Sequence, residues 1–214
     1  MKLAISTRRL AVLGAIGLVL IGGGLAYIEL FLSRPMGEGP AGPPVSPAAF
    51  QKPWTDRPIL LVGLGDSIVA GLGASRQERS FFNRLVRNPA DEFSDMQGTC
   101  LSAVLPSLRH ENLAVSGTTS IQHAEIVEQR LPPQEPDVFG LIVMTTGGND
   151  LIHSYWQRPP REGAMYGATL EQAKPWIRNY EVRLAAMLDA IEARFPGGCE
   201  VYLGDIYDPT DGVG

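Results

Sequence analysis

Ser67, Gly117 and Asn149 each stand just past a short apolar run. After Ile59–Leu64 comes Gly65-Asp66-Ser67-Ile68-Val69-Ala70-Gly71. After Asn112–Val115 comes Ser116-Gly117-Thr118-Thr119, and after Val138–Thr145 comes Thr146-Gly147-Gly148-Asn149-Asp150. Each stretch alone is ordinary turn chemistry at a strand exit. Together, in order and after successive runs, they supply what acyl transfer needs: a nucleophile, and donors aimed at the oxygen that becomes negative. A serine at a strand-to-helix turn presents its hydroxyl and its own N–H. A glycine lets a substrate approach its N–H closely, and an asparagine offers a side-chain amide. One such donor is worth about 3–4 kcal/mol in the transition state.

The elements that must hold these residues alternate in type. Ile59–Leu64 reads as a strand buried on both faces, followed by a helix over Glu78–Arg87 with Phe81, Phe82, Leu85 and Val86 inward. Asn112–Val115 is a second strand, and Ile121–Leu131 a helix stopped by Pro132-Pro133. Val138–Thr145 is a third strand, apolar throughout. Pro175–Phe195 is a long helix with Ile177, Tyr180, Leu184, Leu188, Ile191 and Phe195 on one face, and Glu200–Ile206 is a fourth strand. Strands alternating with helices imply a parallel sheet covered on both faces, whose ligands bind at the carboxyl ends of the strands. All three polar stretches fall there.

This ordered set resembles the SGNH hydrolase family, the GDSL esterases and lipases, from about Ile59 to the end of the chain. Gly65-Asp66-Ser67 fits its first block, Asn112–Gly117 its second and Gly147-Gly148-Asn149-Asp150 its third. The resemblance implies a flavodoxin-like three-layer α/β/α sandwich with strand order 2-1-3-4-5. It also implies a serine-dependent ester hydrolase with Ser67 as nucleophile. The oxyanion donors would be the N–H groups of Ser67 and Gly117 and the Asn149 side chain. Asp66 would stabilise the turn. No metal or cofactor is implied, and the substrate would be a small ester, a lipid or an acylated glycan. Asp66, Asp150, His153, Tyr155 and Trp156 are expected around that substrate. The family's general base is a His in an Asp-x-x-His block after a fifth strand. Here Tyr207–Gly214 closes the chain just past the fourth strand, so the expectation is a domain lacking its last strand.

The three histidines have other expected places. His110 precedes the second strand on the face away from the site, and His123 reads as a solvated helix position. Asp150-Leu151-Ile152-His153 is formally Asp-x-x-His but belongs to the third strand, so His153 reads as a polar residue at the edge of the site. Ser154–Lys174 is long for a connection and reads equally as a lid or as an ordered loop. Cys100 and Cys199 are permitted a disulfide by an exported location, but the strands they precede are not neighbours in that order. Two other readings differ in class: an inactive ester- or glycan-binding module of the same fold, and a nucleotide or phosphoryl-acceptor domain. The second needs a phosphate-cradling loop, which Gly-Asp-Ser-Ile-Val-Ala-Gly does not supply.

The rest of the chain concerns location. Lys2, Arg8 and Arg9 precede a charge-free run from Leu10 to Ile28, within a segment 1–32. That length nearly spans a bilayer core of about 30 Å, longer than the apolar core of a cleaved signal. The expectation is a signal anchor with the N-terminus cytoplasmic and the domain outside, or secretion after cleavage as the alternative. Residues 33–58 carry seven prolines and read as a tether, with the domain over 59–214. Of 214 residues, 44% are apolar and 19% charged, which excludes a disordered chain and a multi-span membrane protein. From residue 59 onward twelve cations face twenty acids, a net −8. A nucleic-acid binder shows the opposite sign. The oligomeric state is not set by the sequence.

Overall fold

The structure is a computed structural model that describes residues 7–28, 45–153 and 159–206. The chain divides near residue 43 into two compact units. The first contains α1 (Thr7–Tyr27), a helix of 21 residues. Among the described residues no helix is long and apolar enough to cross a membrane. The run from Leu10 to Ile28 falls partly on residues whose side chains lie outside the described set, 10 and 11 among them.

The second unit has an α/β fold with a four-stranded sheet of β1 (Ile59–Gly65), β2 (Leu108–Asn112), β3 (Phe139–Thr145) and β4 (Cys199–Gly204). All pairs are parallel, in the order β2-β1-β3-β4. All seven residues of β1 are buried, as its unbroken apolar run requires of a strand with neighbours on both sides and helices on both faces. The chain leaves β1 for β2 on one side and later for β3 on the other. A crevice therefore opens at the carboxyl ends where the winding direction changes.

The second strand lies earlier than its apolar signal. β2 is Leu-Arg-His-Glu-Asn, mostly exposed, because an edge strand tolerates polar side chains. The run expected to be the strand continues its ladder: Leu113 N–H donates to Gly63 O at 2.8 Å and Val115 N–H to Gly65 O at 2.9 Å.

Between the strands run α2 (Ser67–Ala70), α3 (Phe81–Val86), α4 (Leu101–Val104), α5 (Ser120–Arg130), α6 (Gly148–Ile152) and α7 (Leu170–Arg194). One face of the sheet buries Leu60, Val62, Ile142 and Met144 against Val127 of α5 and Met187 and Ile191 of α7. The other packs Leu61 on Phe82 and Val86 of α3, and Ile59 on Val104 and Leu105. Phe81, expected inward, is exposed, because α3 begins only at that residue after a turn at Gln77–Arg79. α7 begins five residues before Pro175: Thr169 and Gln172 form a capping box that starts the helix, and the proline rides inside it.

The second face is incompletely covered at β3 and β4. Phe139, Leu141 and Val143 alternate with fully buried neighbours but are themselves only half-buried, against the expectation of a strand buried throughout. Tyr202 of β4 is 60% exposed, and a cavity of about 720 Å³ lies over these residues.

The domain body starts before Ile59. Trp54 N–H donates to Val104 O at 2.8 Å. Arg57 donates to Asp137 O and Gly197 O at 2.9 and 2.6 Å while stacking 5.1 Å above Phe139. The Trp54 backbone N–H and the Arg57 guanidinium thus seat the last residues of the proline-rich stretch on the domain. Cys100 and Cys199 are both free thiols: Cys199 starts β4, and β1 and β3 separate that strand from β2.

Candidate active site

The site begins with a close approach that only glycine permits. Gly65 has φ +113°, and a Cβ there would stand 1.9 Å from Thr145 O. Asp66 follows as the N-cap of α2 and is only 4% exposed. Its Oδ1 accepts from the Ile68 N–H at 3.0 Å and from the Thr145 hydroxyl at 2.9 Å. The carboxylate thereby holds the turn, ties β1 to β3, and leaves Ser67 as the first residue of the helix. There the backbone N–H belongs to the turn that has no acceptor within the helix. Ser67 itself is half-buried. Gly71, at φ +92°, closes the turn against Ser80.

Gly117 also takes a left-handed conformation, φ +83°, and nothing lies within 4 Å of where a Cβ would be. Its backbone N–H has no hydrogen-bond acceptor among the described residues. The next residue, Thr118, donates its hydroxyl to Val115 O at 2.6 Å, with Gly65 O at 3.3 Å. Asn149 lies in α6 behind Gly147, whose φ is +95°. One N–H of its amide donates to Thr118 O at 2.8 Å, and the second has no partner among the described residues. The loops after β1, β2 and β3 are thus bonded to one another, as the sequence order requires.

Behind these loops lies a buried polar layer. Asp150 is 2% exposed, and its carboxylate accepts from the Ser120 N–H at 2.8 Å and the Ser120 hydroxyl at 2.5 Å. An anion at the N-terminus of α5 complements the helix dipole. Arg183 donates from Nε to Ser120 Oγ at 2.9 Å and from Nη1 to Glu162 at 3.0 Å. The Tyr180 hydroxyl donates to Thr146 O at 3.3 Å; burial, and then the Asp150 charge, push its pKa up. His123 is 2% exposed, with Nε2 2.8 Å from the Thr118 hydroxyl and Nδ1 2.8 Å from the Thr146 hydroxyl. Burial pushes its pKa below the ordinary value, and the Asp66 and Asp150 charges pull the other way.

A model of the GDSL-like lipase/acylhydrolase family matches residues 64–213. The chain belongs to this family. No curated protein matches it. Membership in the GDSL-like acylhydrolases makes hydrolysis of esters the general class of activity.

Several residues of this acylhydrolase stand elsewhere than the sequence suggests. Asp66 and Asp150, expected beside substrate, are buried with their carboxylates bonded to the protein: Asp66 caps α2 and so stabilises its turn, the other part expected of it, and Asp150 accepts from the first N–H of α5. His123 is not solvated. It shares an inward face with Val127 four residues on and Leu131 eight on, the spacing that could have revealed it. His153 is exposed at the end of α6, and His110 is exposed on β2, 6.5 Å from the Phe82 ring. Among the described residues no histidine is hydrogen-bonded to Ser67. Tyr155 and Trp156 lie outside the described residues. Of the connection that holds them, residues 159–169 pack as ordered structure. Ala164 and Met165 are buried, Arg161 bridges to Ala164, and the Met165 N–H donates to Asp150 O at 2.9 Å. Cavities of about 720 and 800 Å³ lie away from the site, and neither is lined by Ser67, Gly117 or Asn149. Arg183 and Ser120 carry no local motif, and Thr146, though it opens the third polar stretch, gave no sign of its bond to His123.

Proposed function

We propose that this acylhydrolase cleaves esters by acyl transfer to Ser67. The observation that carries the reading is the bonded meeting of three strand-end loops. Together they hold a half-buried serine, an open glycine N–H and an asparagine amide with an N–H to spare. Ser67 Oγ attacks the ester carbonyl carbon and its proton passes to a general base. The carbonyl oxygen becomes an oxyanion facing the N–H groups of Ser67 and Gly117 and the free N–H of Asn149. Collapse expels the alcohol, and water then hydrolyses the acyl-enzyme by the same steps.

Ile68, Leu72 and Leu151, neighbours in sequence of Ser67 and Asn149, are exposed apolar side chains that suit an acyl group over a charged one. Small esters, lipid esters and acylated glycans all carry one. A fluorophosphonate that mimics the tetrahedral intermediate should attach to Ser67 and to no other residue, as read by peptide mass spectrometry. A folded chain that takes up no label would point to an ester- or glycan-binding module instead.

The same proposal places the domain outside the cytoplasm on an N-terminal anchor, or free after cleavage. From Val12 to Ile28 the described side chains carry no charge, and the large ones are exposed. Lys2, Arg8 and Arg9 lie on its N-terminal side, the flank that stays cytoplasmic. Protease added to the outer side of the membrane should remove the domain. Protection until the cytoplasmic side is opened would reverse the orientation.

A further inference from the structure

We propose that His123 is a positioning residue that locks the Gly117 and Asn149 loops into one oxyanion-binding frame through a single neutral imidazole. The proposal rests on the ester-hydrolase reading above and adds to it a residue that touches neither substrate nor nucleophile.

The argument is one of hydrogen-bond accounting. Thr118 has one hydroxyl proton. Its oxygen is 2.6 Å from Val115 O, an acceptor only, so the proton goes there. At 2.8 Å from the same oxygen, His123 Nε2 must then be the donor. A neutral imidazole protonated on Nε2 has an accepting Nδ1, and the Thr146 hydroxyl, 2.8 Å away, donates to it. The result is a directed chain, Thr146 to His123 to Thr118 to Val115. One end lies in the stretch that leads to Gly147 and Asn149, the other next to Gly117. Thr118 closes the loop with its carbonyl, which takes one N–H of Asn149 at 2.8 Å. The spare Asn149 N–H and the Gly117 N–H are therefore set by the same residue, which the imidazole holds from behind.

The surroundings keep the ring neutral. It is buried on α5, held between the loops after β2 and β3. Asp66 and Asp150 are the carboxylates that act on it; each is already bonded to backbone and hydroxyl groups, and the Arg183 guanidinium lies 3.9 Å from Asp150. A second ring proton would oppose the Thr146 proton across Nδ1 and break the chain at that point. A buried network satisfied at every member fixes geometry more tightly than loop backbone alone.

Two measurements test this on the full chain. In nitrogen-15 NMR, His123 should show the Nε2–H tautomer and remain neutral at pH 7; an Nδ1–H tautomer or a charged ring would overturn the proposal, whatever the enzyme's chemistry. In kinetics with p-nitrophenyl acetate, His123→Phe fills the space but breaks both bonds. It should lower kcat on the order of ten- to a hundredfold, the cost of about an ångström of misplacement, with KM within about twofold. Added to Asn149→Ala it should cost little more, because both changes disable one frame. Should His123→Phe fail to fold, His123→Gln, which keeps a donor towards Thr118, replaces it and should retain more activity than Asn149→Ala. Full additivity with Asn149→Ala, or an unchanged kcat, would make His123 a core residue without this role. Ser67→Ala separates the two proposals: if that variant turns over normally, the serine mechanism fails, and the NMR result alone decides the case of His123.

Discussion

With Ser67 as the nucleophile, Ser67→Ala should lower kcat for p-nitrophenyl acetate by about 10⁴-fold or more, with the thermal midpoint nearly unchanged. The size follows from the step removed. Without Oγ there is no acyl-enzyme, and water must attack the ester directly in a site shaped for a serine; loss of the serine in the subtilisin template costs about 10⁶ in kcat. The residue is suited to so clean a test. Its side chain makes no hydrogen bond among the described residues, it is half-buried, and alanine is a good helix former at the first position of α2. Its backbone N–H survives the substitution, so part of the oxyanion frame remains, and residual catalysis of about 10³–10⁴ over water is compatible with the mechanism. A variant as fast as the parent would place the nucleophile elsewhere.

The loops of the candidate site were legible in the sequence because their conformation is set locally. Gly65 and Gly117 take φ values that favour glycine, Asp66 caps the helix that begins one residue later, and each sits at the end of an apolar run. The central place of β1 was legible for a related reason, since an unbroken apolar run demands two covered faces and β1 has them, whereas the strand order came only from the family resemblance. What the sequence hid depends on distant partners. Asp150 looks like a site acid until Ser120, thirty residues away, takes both its oxygens. His123 looks like a helix-surface residue until Thr118 and Thr146 close around it from two other loops. β2 was misplaced because its edge position lets polar residues pair in the sheet, so the apolar signal marks only its continuation into the site. The half-cover of β3 was likewise invisible: seven apolar residues read the same whether a helix packs on one face or on both.

Asn149→Ala should reduce kcat by about 10²–10³-fold with little change in KM, because the contact it removes forms mainly as the carbonyl oxygen gains charge. The side chain has a second duty that must be separated from the first. One amide N–H is bonded to Thr118 O, so alanine also leaves that carbonyl without its partner, at a cost of about 1 kcal/mol to stability and some freedom for the Gly117 loop. Asn149→Asp distinguishes the two effects. It keeps the shape of the side chain but donates nothing, and it sets a carboxylate against both the Thr118 carbonyl and the developing oxyanion. If donation to the transition state is the main function, the aspartate variant should be slower than the alanine variant, since repulsion is added to loss. If Asn149 only props the loop, both variants should share a modest loss that follows their fall in thermal midpoint. Equal kcat in Asn149→Ala and the parent, with the fold intact, would remove Asn149 from the oxyanion site and leave the N–H groups of Ser67 and Gly117 to bear the charge alone.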